Sequence, residues 1–326
     1  MNGWEGLFSW GLAVVIWLQG TLPGLTWPMV AISAMGTEVF FLLLLPFLYW
    51  CVNPRLAARL GVAISLSASL MVTLKFLFHA PRPFWVSDEV RPAQPESSYG
   101  LPSGHAQNAA VFWGLLAQQA SSWGRGLAIG LIILIGFSRL QLGVHFPWDV
   151  LAGWAVGGIV LLAFLRWEKP LARAWRRRSL PGQILLALLA SLALIVLPLL
   201  AGLALPPEDP PGWAILAAQA FPATPAIYHP RDLGGVVGLA GVLFGFLSGW
   251  ALLRRQGAFV VAGLFRQKAL RMLLGLAVSG AGYFAVQVFL PGDAAVTLLV
   301  GRYLALAAVG LWIAWGAPLV FRRLRL

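Results

Sequence analysis

Long apolar runs separated by short polar segments dominate this chain. Nine of the runs approach the roughly 20 residues that a helix needs to cross a bilayer. Their approximate limits are 33–51, 60–79, 103–119, 125–143, 148–167, 183–203, 232–253, 272–290 and 299–320. The pattern predicts an all-α fold, a polytopic transmembrane helix bundle of about nine spans.

The N-terminal segment Gly6–Gly20 is apolar but shorter than these runs. Trp4, Trp10 and Trp17 lie in or beside it, and tryptophan favours the membrane–water interface. We therefore expect a helix that lies in the outer membrane surface, with a tenth span as the alternative.

Four regions follow from this map. Residues 1–32 are the interfacial helix or extra span, and residues 33–167 form a core that carries every motif. Residues 168–182 are a basic cytoplasmic linker, and residues 183–326 are a C-terminal transmembrane extension whose role the sequence does not indicate.

Composition supports a membrane protein. The chain is 60% hydrophobic and 10% charged, whereas soluble domains carry about 25% charged residues. Its net charge is +12, but the basic residues lie in short runs between apolar segments, so a nucleic-acid partner is not expected. The single cysteine, Cys51, excludes an internal disulfide. No Lys or Arg precedes Arg55, so a cleavable signal peptide is not expected.

The charges are distributed unequally between the two sides of the membrane. Seventeen of the 23 basic residues fall in loops on one side: Arg55, Arg59, Arg125, Arg166, Lys169, Arg173, Arg176, Arg177, Arg178, Arg254, Arg255, Arg266, Lys268, Arg271, Arg322, Arg323 and Arg325. Acidic residues favour the opposite loops: Asp88, Glu89, Glu96, Glu208, Asp209 and Asp293. The positive-inside rule predicts a multi-pass inner-membrane protein with a cytoplasmic C-terminus.

Several polar and basic residues do not follow this cytoplasmic bias and lie at the outer ends of four predicted spans. Ser103 and Gly104 begin one helix, where Ser103 is a predicted cap, and Pro147 suits the first turn of another. Helix N-termini attract anions. With Lys75, Arg82 and Arg139, they predict a site for a multiply charged oxyanion such as phosphate.

Two histidines at this level suit opposite chemical roles. Asp149 lies four residues after His145, so it can accept the ring N–H and leave the other nitrogen as a nucleophile. His105, on a neighbouring helix, can protonate the leaving oxygen. Together with the cations, this arrangement describes phosphoryl transfer through a phosphohistidine. The alternative for Asp149 and His145 is a capping acid near a helix start beside an interfacial histidine, and for His105 it is a helix-start hydrogen bond.

Three motifs carry a family resemblance. They are Lys75-x6-Arg82-Pro83, Pro102-Ser103-Gly104-His105 and Ser138-Arg139-x5-His145-x3-Asp149. The chain resembles the type 2 phosphatidic acid phosphatase (lipid phosphate phosphatase) superfamily at all eleven of these residues. The resemblance implies a helical core and hydrolysis without a metal or other cofactor. It also implies His145 as nucleophile, Asp149 as its partner and His105 as general acid. The implied phosphate-binding residues are Lys75, Arg82, Ser103, Gly104 and Arg139.

The expected function is a membrane lipid phosphatase that hydrolyses a lipid phosphate or isoprenoid diphosphate at the outer face. The partners expected are that substrate and the surrounding membrane lipids. One alternative is a lipid phosphotransferase, and another is a lipid-binding transporter or scaffold. Glu38 either orients a site residue such as Lys75 or faces the interface. The sequence identifies neither the lipid nor the oligomeric state.

Overall fold

The computed structural model describes residues 3–224, 227–257, 259–290 and 296–326. Asp293, one of the acids expected in an outer loop, lies outside these ranges. The described residues contain helices and no strands, which confirms the predicted all-α class. The helices are α1 (Gly3–Thr21), α2 (Thr26–Ala34), α3 (Glu38–Phe47), α4 (Pro54–Phe78), α5 (Gly104–Ala117), α6 (Ser122–Gln141), α7 (Pro147–Arg176), α8 (Leu180–Gly202), α9 (Pro211–Ala220), α10 (Gly234–Arg255), α11 (Phe265–Phe289), α12 (Val296–Leu311) and α13 (Ala317–Arg323).

The chain is a multi-pass membrane protein, but it has fewer full spans than the apolar runs predict. Within the described ranges, seven helical segments are long and apolar enough to cross a bilayer. They begin at Pro54, Ser122, Pro147, Leu180, Gly234, Phe265 and Val296. The predicted spans 33–51 and 103–119 are shorter helices, Glu38–Val52 and Gly104–Ala117. The 14 residues of α5 extend about 21 Å, less than the roughly 30 Å hydrocarbon core.

The N-terminal segment forms a bent pair of helices. The segments Gly6–Thr21 and Pro23–Ala34 meet at 83°, and they make an eighth span if the pair is counted as one. Pro23 lies at the bend, where its missing N–H and fixed backbone angle favour a new helical start. The placement of this segment in the outer membrane surface remains a prediction, with a span across the membrane as its alternative.

The described chain forms two compact units. Unit 1 contains Met1–Phe40, Leu70–Leu162 and Pro198–Arg231, and unit 2 contains the remaining segments. In unit 1, α6 packs against α1, α2 and α5. All the predicted catalytic and phosphate-binding residues belong to unit 1. The division of the sequence at residues 168–182 remains a prediction.

Unit 2 has its own core, in which α10 packs along α12. The buried rings of Tyr49 and Trp50 bond to the carbonyl oxygens of Ala314 and Ile313, each at 2.9 Å. These bonds satisfy polar ring atoms away from water, as buried Tyr and Trp require.

Candidate active site

His145 and Asp149 form a buried hydrogen-bonded pair at the start of α7. His145 Nδ1 lies 3.1 Å from Asp149 Oδ2, and the two residues are only 1% and 0% exposed. The same oxygen accepts the backbone N–H of Phe146 at 2.9 Å, so one carboxylate both caps the helix and orients the imidazole. When Nδ1 carries the hydrogen, Nε2 keeps its lone pair. Burial, reinforced by the nearby positive charge of Arg82, lowers the pKa of His145 well below 6.5. The ring is therefore neutral at pH 7.

Arg82 lies beside the free nitrogen of this histidine, with 3.2 Å between its Nη1 and His145 Nε2. Its other acceptors are the carbonyl oxygens of Ser98, Val144 and Tyr99, the Ser98 hydroxyl and the Glu96 carboxylate. A guanidinium has five N–H groups, and these acceptors together with His145 Nε2 provide one for each of them. A phosphate that binds Arg82 must therefore replace at least one acceptor.

Glu96 links Arg82 to the second arginine of the site. Its Oε2 lies 3.2 Å from Arg82 Nη2, and its Oε1 accepts a hydrogen bond from Arg139. Arg139 is fully buried and also donates to Ser33 and, at 2.8 Å, to Gln94. Burial alone would raise the pKa of Glu96, but the two arginines lower it to about 2. The bridge is thus an ionised carboxylate held by two cations.

Lys75 supplies the third cation from the last turn of α4. It is 3% exposed, and its ammonium donates to the carbonyl oxygen of Tyr99. Arg82 Nη2 lies 3.5 Å from the same oxygen. The Tyr99 carbonyl is therefore a shared support for two predicted phosphate-binding cations.

The start of α5 joins the start of α7 at this site. The Ser103 backbone N–H donates to the carbonyl oxygen of Asp149 at 2.9 Å. A Cβ on Gly104 would meet the side chain of Met71, so glycine lets α5 begin close to α4. His105, in the first turn of α5, interacts electrostatically with Arg139 and other charged groups of the site.

The prediction that the Ser103 side chain caps α5 is wrong. Ser103 occupies the N-cap position, but its side chain makes no capping hydrogen bond. Within the described structure, Ser103 Oγ and Arg139 Nε are buried without a hydrogen-bond partner. Buried polar atoms normally have partners, and a hydroxyl and a guanidinium N–H are both groups that can donate to an oxyanion.

Two family models match the chain at separate ranges, and together they cover more than half of it. The model described as "PAP2 superfamily" matches residues 56–173, which contain the three motifs. The model described as "PAP2 superfamily phosphatase, transmembrane extension" matches residues 237–326. The chain belongs to the PAP2 superfamily. The predicted resemblance is confirmed, including a C-terminal membrane extension.

The PAP2 region resembles several named proteins. It is 29% identical to Sphingosine-1-phosphate phosphatase 2 of Mus musculus over 143 residues, which cover 41% of this chain and 40% of the mouse protein. It is 30% identical to Undecaprenyl-diphosphatase of Sulfolobus acidocaldarius over 142 residues, covering 42% of this chain and 66% of that protein. The crystal structure of Aquifex aeolicus LpxE matches with a TM-score of 0.44 and 26% identity, covering 48% of this chain and 94% of LpxE. The chain thus spans well under half the length of the mouse relative.

In this PAP2 protein, unit 1 brings the predicted catalytic and phosphate-binding residues to one place. They are Lys75, Arg82, Ser103, Gly104, His105, Arg139, His145 and Asp149. Glu38 begins α3, and its suggested role beside Lys75 remains a prediction. Within the described ranges, no group of three or more His, Cys, Asp and Glu side chains is arranged to hold a metal ion.

Sequence reasoning assigned no site role to Glu96, Tyr99 or Ser33. Glu96 was identified only as one of several outer-loop acids, and no spacing pattern singles it out. The one available signal was indirect, because buried cations need acceptors and the proline-rich outer loop supplies them nearby.

Proposed function

We propose that this protein is a lipid phosphatase that hydrolyses a lipid phosphate or isoprenoid diphosphate through a phosphohistidine on His145. The observation that carries the proposal is the buried His145–Asp149 hydrogen bond, because it leaves Nε2 facing Arg82. The unpartnered Ser103 hydroxyl and Arg139 Nε support an oxyanion as the ligand.

In the first step, His145 Nε2 attacks phosphorus while the bond from phosphorus to the lipid oxygen breaks. His105 donates a proton to that oxygen, so the lipid leaves as an alcohol or, from a diphosphate, as a monophosphate. Asp149 accepts a hydrogen bond from Nδ1–H and stabilises the positive charge that develops on the imidazole. Lys75, Arg82 and Arg139 hold the phosphoryl oxygens and offset their charge.

In the second step, water attacks the phosphohistidine. His105, now neutral, takes a proton from the water, and the phosphorus–nitrogen bond breaks to restore His145. The products are inorganic phosphate and the original enzyme. A lipid hydroxyl in place of water would give phosphotransfer, so analysis of the products distinguishes hydrolysis from transfer.

The uneven distribution of basic residues supports a site on the outer, extracytoplasmic face of the inner membrane, with the C-terminus in the cytoplasm. A lipid can enter with its tail in the bilayer and its phosphate at the histidines. The relatives' names supply the candidates, since they include a sphingosine-1-phosphate phosphatase and an undecaprenyl-diphosphatase. Phosphatidic acid and phosphatidylglycerol phosphate complete the panel.

The experiment is a phosphate-release panel over these four lipids with purified protein in detergent, with a metal chelator present. We expect wild type to release phosphate from at least one lipid and His145→Ala to release none. His229→Ala is the matched control, because His229 is exposed and is not part of the site. Equal activity of wild type and His145→Ala, or activity that the chelator abolishes, would contradict the proposal.

A further inference from the structure

Asp209 lies in segment 204–231, between the two ranges that the PAP2 family models match. Its side chain is 11% exposed and accepts four hydrogen bonds. The donors are His79 Nε2 at 2.8 Å, Tyr99 Oη at 2.8 Å, Arg231 Nη2 at 2.6 Å and Tyr228 Oη at 2.8 Å. Burial alone would raise the pKa of Asp209, but these hydrogen bonds lower it to about 2. The carboxylate is thus ionised at neutral pH, and both of its oxygens accept hydrogen bonds.

Two of these donors, His79 and Tyr99, belong to the outer loop that carries Arg82 and directly follows the helix of Lys75. The His79 backbone N–H donates to the carbonyl oxygen of Lys75 at 3.0 Å, directly after α4. His79 has a φ of 44°, which is uncommon for a residue with a side chain, so the contact with Asp209 helps to hold a strained turn. Tyr99 connects differently, because its hydroxyl binds Asp209 while its carbonyl supports Lys75 and Arg82.

Aromatic contacts hold segment 204–231 in place within unit 1. The ring centroids of Trp85 and Tyr228 are 4.8 Å apart, and those of His79 and Trp213 are 5.2 Å apart. Phe84 and Phe221 meet edge to face at 5.9 Å. Such pairs favour a defined geometry, so Asp209 is held by its own segment as well as by its donors.

We propose that Asp209 is a positioning residue for phosphate binding, acting through Tyr99 and His79 on Lys75 and Arg82. Asp209 itself does not touch the phosphate. It fixes the Tyr99 side chain, and the Tyr99 carbonyl then holds two of the cations that are proposed to bind the phosphoryl group. This inference rests on the proposed function, and it assigns a role to a segment that neither family model covers.

The test measures the affinity of purified full-length protein for inorganic phosphate, as a competitive inhibition constant and by calorimetry. Asp209→Ala and Tyr99→Phe should each weaken phosphate binding by about tenfold, since each removes the same charge-assisted hydrogen bond. The double variant should be little worse than either single one, because residues that act through one contact are not additive. Asp209→Asn keeps an acceptor oxygen and should recover most of the affinity. Glu208→Ala, at the exposed neighbouring carboxylate, should match wild type.

Unchanged phosphate affinity in Asp209→Ala would overturn the inference, and so would additive losses in the double variant. If Asp209→Ala unfolds, Tyr99→Phe decides, because it removes only one hydroxyl and wild-type affinity there refutes the positioning role. An active wild type with an unaffected Asp209→Ala overturns this inference alone. A wild type that neither binds nor releases phosphate overturns the proposed function as well.

Discussion

Glu96 occupies the arginines that the substrate phosphate needs, so changing it to glutamine should tighten phosphate binding. Its carboxylate bridges Arg82 and Arg139, and its side chain is 19% exposed. Every N–H of Arg82 already has an acceptor, and Glu96 is the acceptor that carries the same sign of charge as a phosphate. The carboxylate therefore competes with the ligand for the two arginines.

The size of this competition follows from the Glu96 pKa. A fall from 4.5 to about 2 corresponds to roughly 3 kcal/mol of favourable interaction with the surroundings. Because the pKa is lower in the folded protein, this stabilisation is complete above pH 4.5 and is lost as the pH falls through about 2. It is fully present in a neutral assay. A neutral glutamine keeps about half of it, so about 1.5 kcal/mol is released, and phosphate should bind about tenfold more tightly.

The assay is the competitive inhibition constant for inorganic phosphate in wild type, Glu96→Gln and Glu89→Gln. Glu89 is an exposed carboxylate in the same outer loop, so its variant controls for a general loss of negative charge. Glu96→Gln should lower the constant about tenfold, and Glu89→Gln should leave it unchanged. Weaker phosphate binding in Glu96→Gln would refute the reasoning, because it would show that Glu96 supports the arginines instead of competing for them.

Three further predictions concern His145 and the contact between the start of α5 and α7. Asp149→Asn should lower kcat on the order of 10³–10⁴-fold, since the amide no longer fixes the reactive tautomer of His145; an unchanged kcat would argue against that role. The reactive His145 ring is the neutral one and its pKa is lowered well below 6.5. A profile of kcat/KM against pH should therefore show no loss of activity as the pH falls through 6.5, and an acid limb at that value would contradict the burial argument. Gly153→Ala should lower Tm in detergent and cost about 1–3 kcal/mol, because a Cβ there would lie 2.6 Å from the Ser103 carbonyl oxygen. Gly158→Ala has no atom within 4 Å of its Cβ and should leave Tm unchanged.

Much of the fold could be predicted because membrane helices must satisfy their backbone hydrogen bonds internally, so long apolar runs become long helices. The apolar runs at 33–51 and 103–119 were predicted to be full spans, but they form shorter helices. Hydropathy does not show that the chain starts a new helix at Glu38, or that Ser121 caps α6 four residues after α5 has ended at Ala117.

The site divides in a similar way. Residues such as His145 and Asp149 are predictable because their spacing on one helix start already places them within reach of each other. Glu96 and Asp209 were not, because they reach the site from loops whose path depends on tertiary packing. Ser103 shows that a motif residue can be placed correctly while its contacts are not. Its N-cap position was predicted, but the predicted side-chain capping hydrogen bond is absent.

The stereochemistry of the reaction at phosphorus reveals whether His145 forms a covalent intermediate with the substrate. The measurement uses a lipid thiophosphate made chiral at phosphorus by isotopic oxygen, hydrolysed by wild type, with His145→Ala in parallel. A phosphohistidine requires two successive in-line displacements, so we predict overall retention of configuration and no turnover by His145→Ala. Inversion of configuration would mean that water attacks the lipid phosphate directly, and it would contradict the role of His145 as the nucleophile.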